Sequence, residues 1–294
     1  MRKYIVLYLI VLFATSTTMA KKSSPSQIVI DSIQSKTLNT YRTYSILLPA
    51  RYDEQTDHKY PILYLLHGMW DKNQCWAQKG DLLEVYNRLL ASDEIDEMII
   101  VTPNAGGNLF AGEINGYFNM PNWQYETFFF NEFMPYIEST YRIKTDKRHR
   151  AIAGLSMGGG GSVSYAQHHS DVFGSVYAMS ASMSLEGRDK IDENTELDIL
   201  RKDLDKSIEE NDCTKFITNA DPSTIKQLQS IRWFIDCGDD DFLFNGNVYF
   251  VQAMKKASIP YQFRVRDGGH DWEYWHSALY ICLPFVNRGF EKLQ

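Results

Sequence analysis

Two kinds of hydrophobic pattern follow one another along the chain and predict where its strands lie. Segments 27–33 and 43–48 alternate apolar and polar residues and are rich in β-branched side chains, which predicts an antiparallel pair of strands. Later runs are apolar without alternation, as is typical of strands that are buried on both faces. These runs predict strands at 61–66, 98–102, 150–153, 174–179, 232–236 and 262–265.

Helical patterns separate these apolar runs. They predict helices at 81–91, 125–141, 157–168 and 248–257, and a last helix at 272–285. Because strands alternate with helices, the sequence predicts an α/β fold with a mainly parallel central sheet and helices on both faces. Segment 182–229 is polar and longer than a crossover helix needs, so it is predicted to be an insertion. It is either a solvated surface excursion or a cap that borders a substrate cleft.

The first twenty residues have the pattern of a secretory signal peptide. Arg2 and Lys3 precede the apolar stretch 4–14, and small residues at 18–20 match the positions that a signal peptidase reads. A membrane anchor is the alternative, but the apolar stretch is too short to span a bilayer comfortably. We therefore expect residues 1–20 to be cleaved, and 21–294 to form a single domain that is secreted or periplasmic.

Composition and charge exclude several classes of protein. The 294 residues are 44% hydrophobic and 23% charged, which is an ordinary globular composition. Thirty Lys and Arg residues stand against 37 Asp and Glu residues, a net charge of −7. This balance lacks the basic excess that binds nucleic acid. The four cysteines match no metal-ligand spacing and no small disulfide framework, and their pairing stays open.

The segment Gly154-Leu155-Ser156-Met157-Gly158 carries the strongest chemical signal. This G-x-S-x-G motif follows a predicted strand and opens a predicted helix, the context of a sharp turn that exposes a serine hydroxyl. Flanking glycines allow the turn, and the helix N-terminus favours developing negative charge. We therefore predict that Ser156 is a nucleophile.

A serine nucleophile needs a base, which follows it in the chain order of this fold. Of the seven histidines, His270 and His276 come late enough. His270 lies in a loop directly after the predicted strand 262–265, whereas His276 falls inside the last helix and is better read as a packing or surface residue. His270 is the predicted general base and acid.

The acid that orients this imidazole should follow the predicted strand 232–236. Four carboxylates crowd there, and spacing alone does not choose among Asp236, Asp239, Asp240 and Asp241.

An oxyanion hole requires two backbone N–H groups. The residue after the nucleophile, Met157, supplies one. His67-Gly68-Met69 ends the predicted strand 61–66, which makes the Met69 N–H the second candidate. His67 itself is interpreted as a buried, hydrogen-bonded structural residue, because His270 already satisfies the chain order.

Taken together, these motifs give the chain a family resemblance. It resembles the esterase D and feruloyl esterase branch of the α/β-hydrolases, which includes carbohydrate esterase family 1. The similar stretches span most of residues 27–290: Tyr64-Leu65-Leu66-His67-Gly68 with Trp76, Gly154 to Gly159, Cys237-Gly238-x-x-Asp241-Phe242-Leu243, and 126–142. The resemblance implies that Asp241 is the acid and that the Met69 and Met157 amides form the oxyanion pair.

The resemblance and the signal-peptide pattern together predict a secreted serine carboxylesterase that acts on feruloyl or acetyl esters of plant polysaccharide fragments. A sugar acyltransferase would use the same acyl-enzyme. The S-formylglutathione hydrolase branch usually has His before the nucleophile, where this chain has Leu155. A non-catalytic carbohydrate-binding protein is the remaining alternative. We expect an ester substrate as the partner, no metal or organic cofactor, no nucleic acid and no stable membrane insertion.

Aromatic residues in predicted strand-end loops are candidates for stacking on a sugar or a feruloyl ring. Trp76 and Trp272 are the predicted substrate contacts among them. The alternative is that most of these rings pack between helices and sheet. The wider set is Trp70, Trp76, Tyr117, Phe118, Trp123, Trp272 and Trp275.

Overall fold

A computed structural model describes residues 25–106, 116–184 and 196–290 of the chain. Within these residues, eight strands form one sheet, and two strands of two residues each form a separate hairpin. The strands of the sheet are β1 (Gln27–Ser35), β2 (Thr40–Leu48), β3 (Ile62–Leu66), β4 (Ile99–Pro103), β7 (Arg150–Leu155), β8 (Ser175–Met179), β9 (Arg232–Gly238) and β10 (Tyr261–Arg266); the hairpin is β5 (Asn119–Met120) and β6 (Trp123–Gln124).

The sheet is mainly parallel, as the alternation of strands and helices predicts. Its order is β1-β2-β4-β3-β7-β8-β9-β10, with β2 antiparallel to both β1 and β4 and the remaining neighbours parallel. Because parallel strands share a direction, the loops that follow β3, β7, β9 and β10 leave from one edge of the sheet. Met69, Ser156, Asp241 and His270 lie one in each of those four loops.

Helices cover both faces of this sheet. They are α1 (Cys75–Gln78), α2 (Leu82–Ala91), α3 (Tyr125–Phe128), α4 (Met134–Thr140), α5 (Met157–His168), α6 (Glu196–Glu210), α7 (Cys213–Asn219), α8 (Pro222–Leu228), α9 (Phe244–Lys256) and α10 (Trp272–Phe290). Side chains of α2 and α10 pack on one face, and those of α3 to α5 and α9 on the other. Strand β3 shows why both faces are apolar: Leu63 and Leu65 face the first layer, and Tyr64 faces the second.

The predicted helix at 125–141 is interrupted. A π-helical turn, Phe129–Phe133, joins α3 to α4, and Pro135 lies in the first turn of α4. A proline has no backbone N–H, so the regular hydrogen-bond ladder of an α-helix cannot pass through Pro135, and the wider π-helical turn directly precedes it. The predicted helix at 248–257 begins four residues earlier, at Phe244.

The predicted insertion at 182–229 contains three helices in its described part, α6 to α8; residues 185–195 lie outside the described ranges. Asp212 and Asp221 cap α7 and α8 through their carboxylates. The insertion is connected to α5, since the Gln167 side chain donates to the Cys213 carbonyl at 2.9 Å. This part therefore packs against the core as well as covering it.

All four cysteines, Cys75, Cys213, Cys237 and Cys282, are buried free thiols. Burial raises the pKa of each thiol above its ordinary value. The pairing that the sequence left open is thus absent in the structure. In the described ranges, no helix combines the length and apolar character needed to cross a bilayer. The predicted signal peptide, 1–20, lies outside the described residues.

Candidate active site

Ser156 lies at the sharp turn between β7 and α5, with φ 53° and ψ −119°. A positive φ is costly for a residue that has a Cβ, so the surrounding structure must hold it. The Ser156 N–H donates to the Met179 carbonyl at 2.9 Å, and its carbonyl accepts from the N–H groups of Gly160 and Ser182, both at 3.0 Å. The strained turn predicted from the motif is therefore present and fixed on both sides.

Gly158 explains why the motif needs glycine after the serine. A Cβ at this position would lie 2.5 Å from the His67 carbonyl oxygen and 2.8 Å from the Leu66 carbonyl oxygen, both backbone atoms. The first turn of α5 can therefore approach the end of β3 only because the side chain is missing. This contact brings Ser156 next to the loop that follows β3.

His270 links Ser156 to Asp241. Its Nε2 lies 2.9 Å from the Ser156 Oγ, and its Nδ1 lies 2.9 Å from Oδ2 and 3.1 Å from Oδ1 of Asp241. The loops that carry the two residues are joined by backbone hydrogen bonds, from Asp239 N–H to the Arg266 carbonyl and from Asp240 N–H to the Gly268 carbonyl. These bonds hold the acid and the imidazole in register.

The surroundings of Asp241 favour its ionised form. Burial acts to raise the pKa of this carboxyl, but the hydrogen bond and charge of His270, the Leu243 N–H and the Ser180 hydroxyl outweigh burial and lower the pKa. The Leu243 N–H donates to Oδ1 at 2.8 Å, and the side chain of Asp241 is fully buried. A charged carboxylate is therefore held against one edge of the imidazole.

The structure also shows what the other carboxylates of this loop do. Asp236 is fully buried and accepts hydrogen bonds from the Tyr177 and Tyr274 hydroxyls and from the Arg264 guanidinium. Asp239 and Asp240 are exposed, and their carboxylates lie near that of Asp267. Among the described residues, this exposed trio is the group of acids close enough to share a cation, and such groups are common without one.

The loop after β3 lies beside Ser156. A Cβ built on Gly68 would be 3.5 Å from the Ser156 Cβ. In the described part of the chain, neither the Met69 N–H nor the Met157 N–H donates to a protein acceptor. Both amides are thus available to an oxygen bound at Ser156, as the oxyanion prediction requires.

His67 has the structural role that was expected of it. The residue is fully buried, its Nδ1 contacts the Gly68 carbonyl at 2.7 Å, and its Nε2 accepts from the Ala105 N–H at 2.9 Å. Burial lowers the pKa of His67 to about 4, so the ring stays neutral.

Tyr117 supports the loop that carries Met69, a role that the sequence did not predict. Its hydroxyl accepts from the His67 N–H at 2.8 Å and donates to the His67 carbonyl at 3.1 Å. One side chain therefore satisfies both backbone groups at the start of the loop that carries Met69. No sequence signal marks this contact, because it joins residues 50 positions apart.

The predicted substrate contact at Trp76 needs correction. Its ring is fully buried, and its indole N–H donates to the Leu66 carbonyl at 3.2 Å, which leaves no ring face for a substrate. Trp272 is half-buried and lies edge-on to Trp76 at 5.2 Å and to Trp275 at 5.4 Å. Trp275 in turn contacts His270 edge-on at 4.9 Å. Edge-on contacts thus connect the three indole rings to one another and, through Trp275, to the imidazole of His270.

The remaining histidines lie away from the serine. His276 contacts the Gly80 carbonyl at 3.0 Å. His168 and His169, at the end of α5, both contact the same oxygen of Glu126, at 3.0 and 3.1 Å. Burial acts to raise the pKa of Glu126, but the hydrogen bonds and charges of the two histidines outweigh it and lower the pKa to about 2.

A mainly parallel sheet with helices on both faces, and a strained serine turn at its edge, place the molecule in the α/β-hydrolase class. The Esterase family model, described as "Putative esterase", matches residues 35–286, and the chain belongs to this family. The predicted resemblance to feruloyl esterase-like proteins is confirmed, and so is the predicted fold. The same matches support the expected class of enzyme, a carboxylic ester hydrolase.

Named relatives and solved structures agree with this family. The chain is 24% identical over 250 residues to an endo-1,4-beta-xylanase/feruloyl esterase of Xylanibacter ruminicola; the match covers 83% of this chain but only 29% of that protein's length. It is 23% identical over 273 residues to an acetyl esterase of Caldicellulosiruptor saccharolyticus, covering 86% of this chain and 96% of that protein.

Among solved structures, a ferulic acid esterase matches with a TM-score of 0.87 and 56% identity, over 91% of this chain and all of that one. The feruloyl esterase module from Clostridium thermocellum, complexed with sinapinate, has a TM-score of 0.68 at 19% identity, over 92% of this chain and 91% of that one. This second likeness shows the fold alone.

Proposed function

We propose that this protein is a secreted serine carboxylesterase that releases feruloyl groups from plant polysaccharide fragments. The observation that carries the proposal is the unbroken chain of contacts from Asp241 through His270 to Ser156, beside two backbone amides that have no acceptor among the described residues. These parts correspond to a nucleophile, its base, the residue that orients the base and an oxyanion hole.

In the first half of the reaction, the Ser156 Oγ attacks the ester carbonyl carbon while its proton passes to His270 Nε2. The carbonyl oxygen becomes negative and is held by the Met69 and Met157 amides. The Nδ1–H of His270 donates a hydrogen bond to Asp241, which stays ionised. This bond fixes the tautomer of His270 and stabilises the imidazolium. When the C–O bond breaks, His270 returns its proton to the leaving alcohol.

In the second half, water takes the place of the alcohol. His270 removes a proton from the water as its oxygen attacks the acyl carbon of the acyl-serine. Collapse of the second tetrahedral intermediate releases the carboxylic acid, and His270 returns the proton to Ser156. No step requires a group outside the chain other than water.

The feruloyl substrate is supported by the similarity to a ferulic acid esterase at 56% identity over its whole length. An acetyl ester is the second candidate, because the acetyl esterase relative matches over 96% of its own length. Export is supported by the leader pattern at 1–20.

The test is a substrate panel on purified residues 21–294. Product release would be followed from p-nitrophenyl acetate, methyl ferulate, and acetylated or feruloylated xylan fragments, for the wild-type protein and for Ser156→Ala and His270→Ala. The matched control is Ser164→Ala, which removes from the same helix a buried hydroxyl that has no hydrogen-bond partner in the described residues.

We expect ferulate release by the wild-type protein and the control, and only residual turnover by the two site variants, which retain the oxyanion hole. Turnover retained in Ser156→Ala would refute the assignment of the nucleophile. Release of acetate without ferulate would replace the feruloyl substrate with an acetyl ester. A folded protein without turnover would favour acyl transfer to a sugar or binding alone.

A further inference from the structure

Phe242 is an apolar ring held in water beside the imidazole. It is 73% exposed, although both of its neighbours in the chain, Asp241 and Leu243, are buried. A single exposed apolar side chain is ordinary by itself, but this ring contacts the imidazole of the proposed active site, which makes it a candidate for contact with a substrate.

The position of this ring relative to His270 is defined. The ring centres of Phe242 and His270 are 4.5 Å apart at an interplanar angle of 50°. Trp275, which is buried, approaches the same imidazole edge-on at 4.9 Å, and the two ring nitrogens are occupied by Asp241 and Ser156. Phe242 therefore covers the imidazole on its solvent side.

Reaction geometry distinguishes the two ends of an ester at this site. The carbonyl oxygen must point to the Met69 and Met157 amides, whereas the leaving oxygen must reach hydrogen-bond distance of His270 Nε2 to receive a proton. The alcohol is thus the part of the substrate that approaches the imidazole from solvent. A sugar attached to this oxygen would lie against the Phe242 ring.

We propose that Phe242 forms a subsite for the leaving alcohol, where its ring stacks on the sugar to which the acyl group is esterified. This inference rests on the proposed hydrolase function and deepens it, since it assigns recognition of the sugar and not of the acyl group. The negative face of an aromatic ring attracts the polarised C–H groups of a sugar face. Simple alkyl esters lack that partner.

The experiment compares two esters with the same acyl group: methyl ferulate and a feruloylated arabinoxylo-oligosaccharide. We expect Phe242→Ala to lower kcat/KM for the oligosaccharide by roughly three- to ten-fold more than for methyl ferulate, the effect of losing one aromatic contact with the sugar. A loss that both esters share reports the contact of Phe242 with His270. Phe242→Tyr keeps a ring and should keep the preference. Tyr41→Ala, which removes a ring that is 68% exposed on β2, is the control and should change neither ester.

Equal losses on both esters, or no loss on either, would overturn the subsite. A binding measurement separates this failure from failure of the hydrolase. In Ser156→Ala protein, the oligosaccharide should bind more tightly than methyl ferulate, and adding Phe242→Ala should remove the difference. If the wild-type protein turned over neither ester but the Phe242-dependent difference in binding remained, the subsite would be supported and the proposed hydrolase function refuted. If that difference in binding were absent, the subsite would be refuted.

Discussion

Replacing Tyr117 with Phe tests how the oxyanion loop is held. The change removes one hydroxyl and keeps the ring, so the core volume is preserved. That hydroxyl serves two buried backbone groups, the N–H and the carbonyl of His67, at 2.8 and 3.1 Å. A buried polar group left without a partner costs about 1–3 kcal/mol.

The variant should therefore lose about 2–3 kcal/mol of unfolding free energy, a sum limited by relaxation of the loop. Activity should fall as well, because Met69 is two residues from the atoms that lose their partner. Removing an oxyanion donor outright costs about 10²–10³ in kcat, so a displaced donor should cost roughly ten- to a hundred-fold. Urea unfolding and turnover of p-nitrophenyl acetate measure the two effects.

Tyr125→Phe provides a matched control. Tyr125 packs edge-on against Tyr117 at 5.6 Å and is also fully buried, but its hydroxyl has no hydrogen-bond partner within the described residues. Removing it should leave stability unchanged or raised, with kcat intact. If Tyr117→Phe behaves like Tyr125→Phe in both assays, the role assigned to the Tyr117 hydroxyl is refuted.

Two further predictions concern carboxylates. Asp241→Asn should lower kcat by about 10³–10⁴ with little change in folding, because the amide no longer selects the correct tautomer of His270; activity near wild type would refute Asp241 as the acid. For Glu126, the folded pKa of about 2 lies below the ordinary value of about 4.3, so its stabilisation is complete above pH 4.3 and is lost as the pH falls through 2. The difference in unfolding free energy between wild type and Glu126→Gln, from urea titrations, should shrink over that window; a difference independent of pH would contradict the role of the histidine pair.

Strand positions were predictable because burial on both faces leaves a continuous apolar run. The predicted strand 174–179 differs by one residue from the observed Ser175–Met179, and 150–153 lacks only the last two residues of β7. Those two residues, Gly154 and Leu155, belong both to the strand and to the serine motif. The start of α9 was less predictable, because Gly246 disfavours a helix on intrinsic grounds and only tertiary contacts place it inside one.

The choice of Asp241 as the predicted acid could not be made from the spacing of residues in the sequence. Four carboxylates near the end of β9 have the same chemistry, and the resemblance, not the spacing, selected Asp241. The physical difference between them is tertiary: Asp236 is paired with Arg264 and accepts hydrogen bonds from two tyrosine hydroxyls, whereas Asp241 faces the imidazole. The prediction that Trp76 contacts substrate was wrong for a related reason. The sequence near a strand end does not show whether an aromatic side chain faces the solvent or the core.

The buried free cysteines can report local unfolding of the core through their reaction with a thiol reagent. Only the thiolate form of a cysteine attacks an alkylating reagent, and burial together with a raised pKa keeps these thiols from reacting until the surrounding core opens. Cys75 and Cys282 belong to the core layer on one face of the sheet, and Cys213 belongs to the layer on the other. The labelling rates of Cys75 and Cys282 would therefore report the opening of one layer, and that of Cys213 the opening of the other. The wild-type protein can be used for this measurement without an added probe.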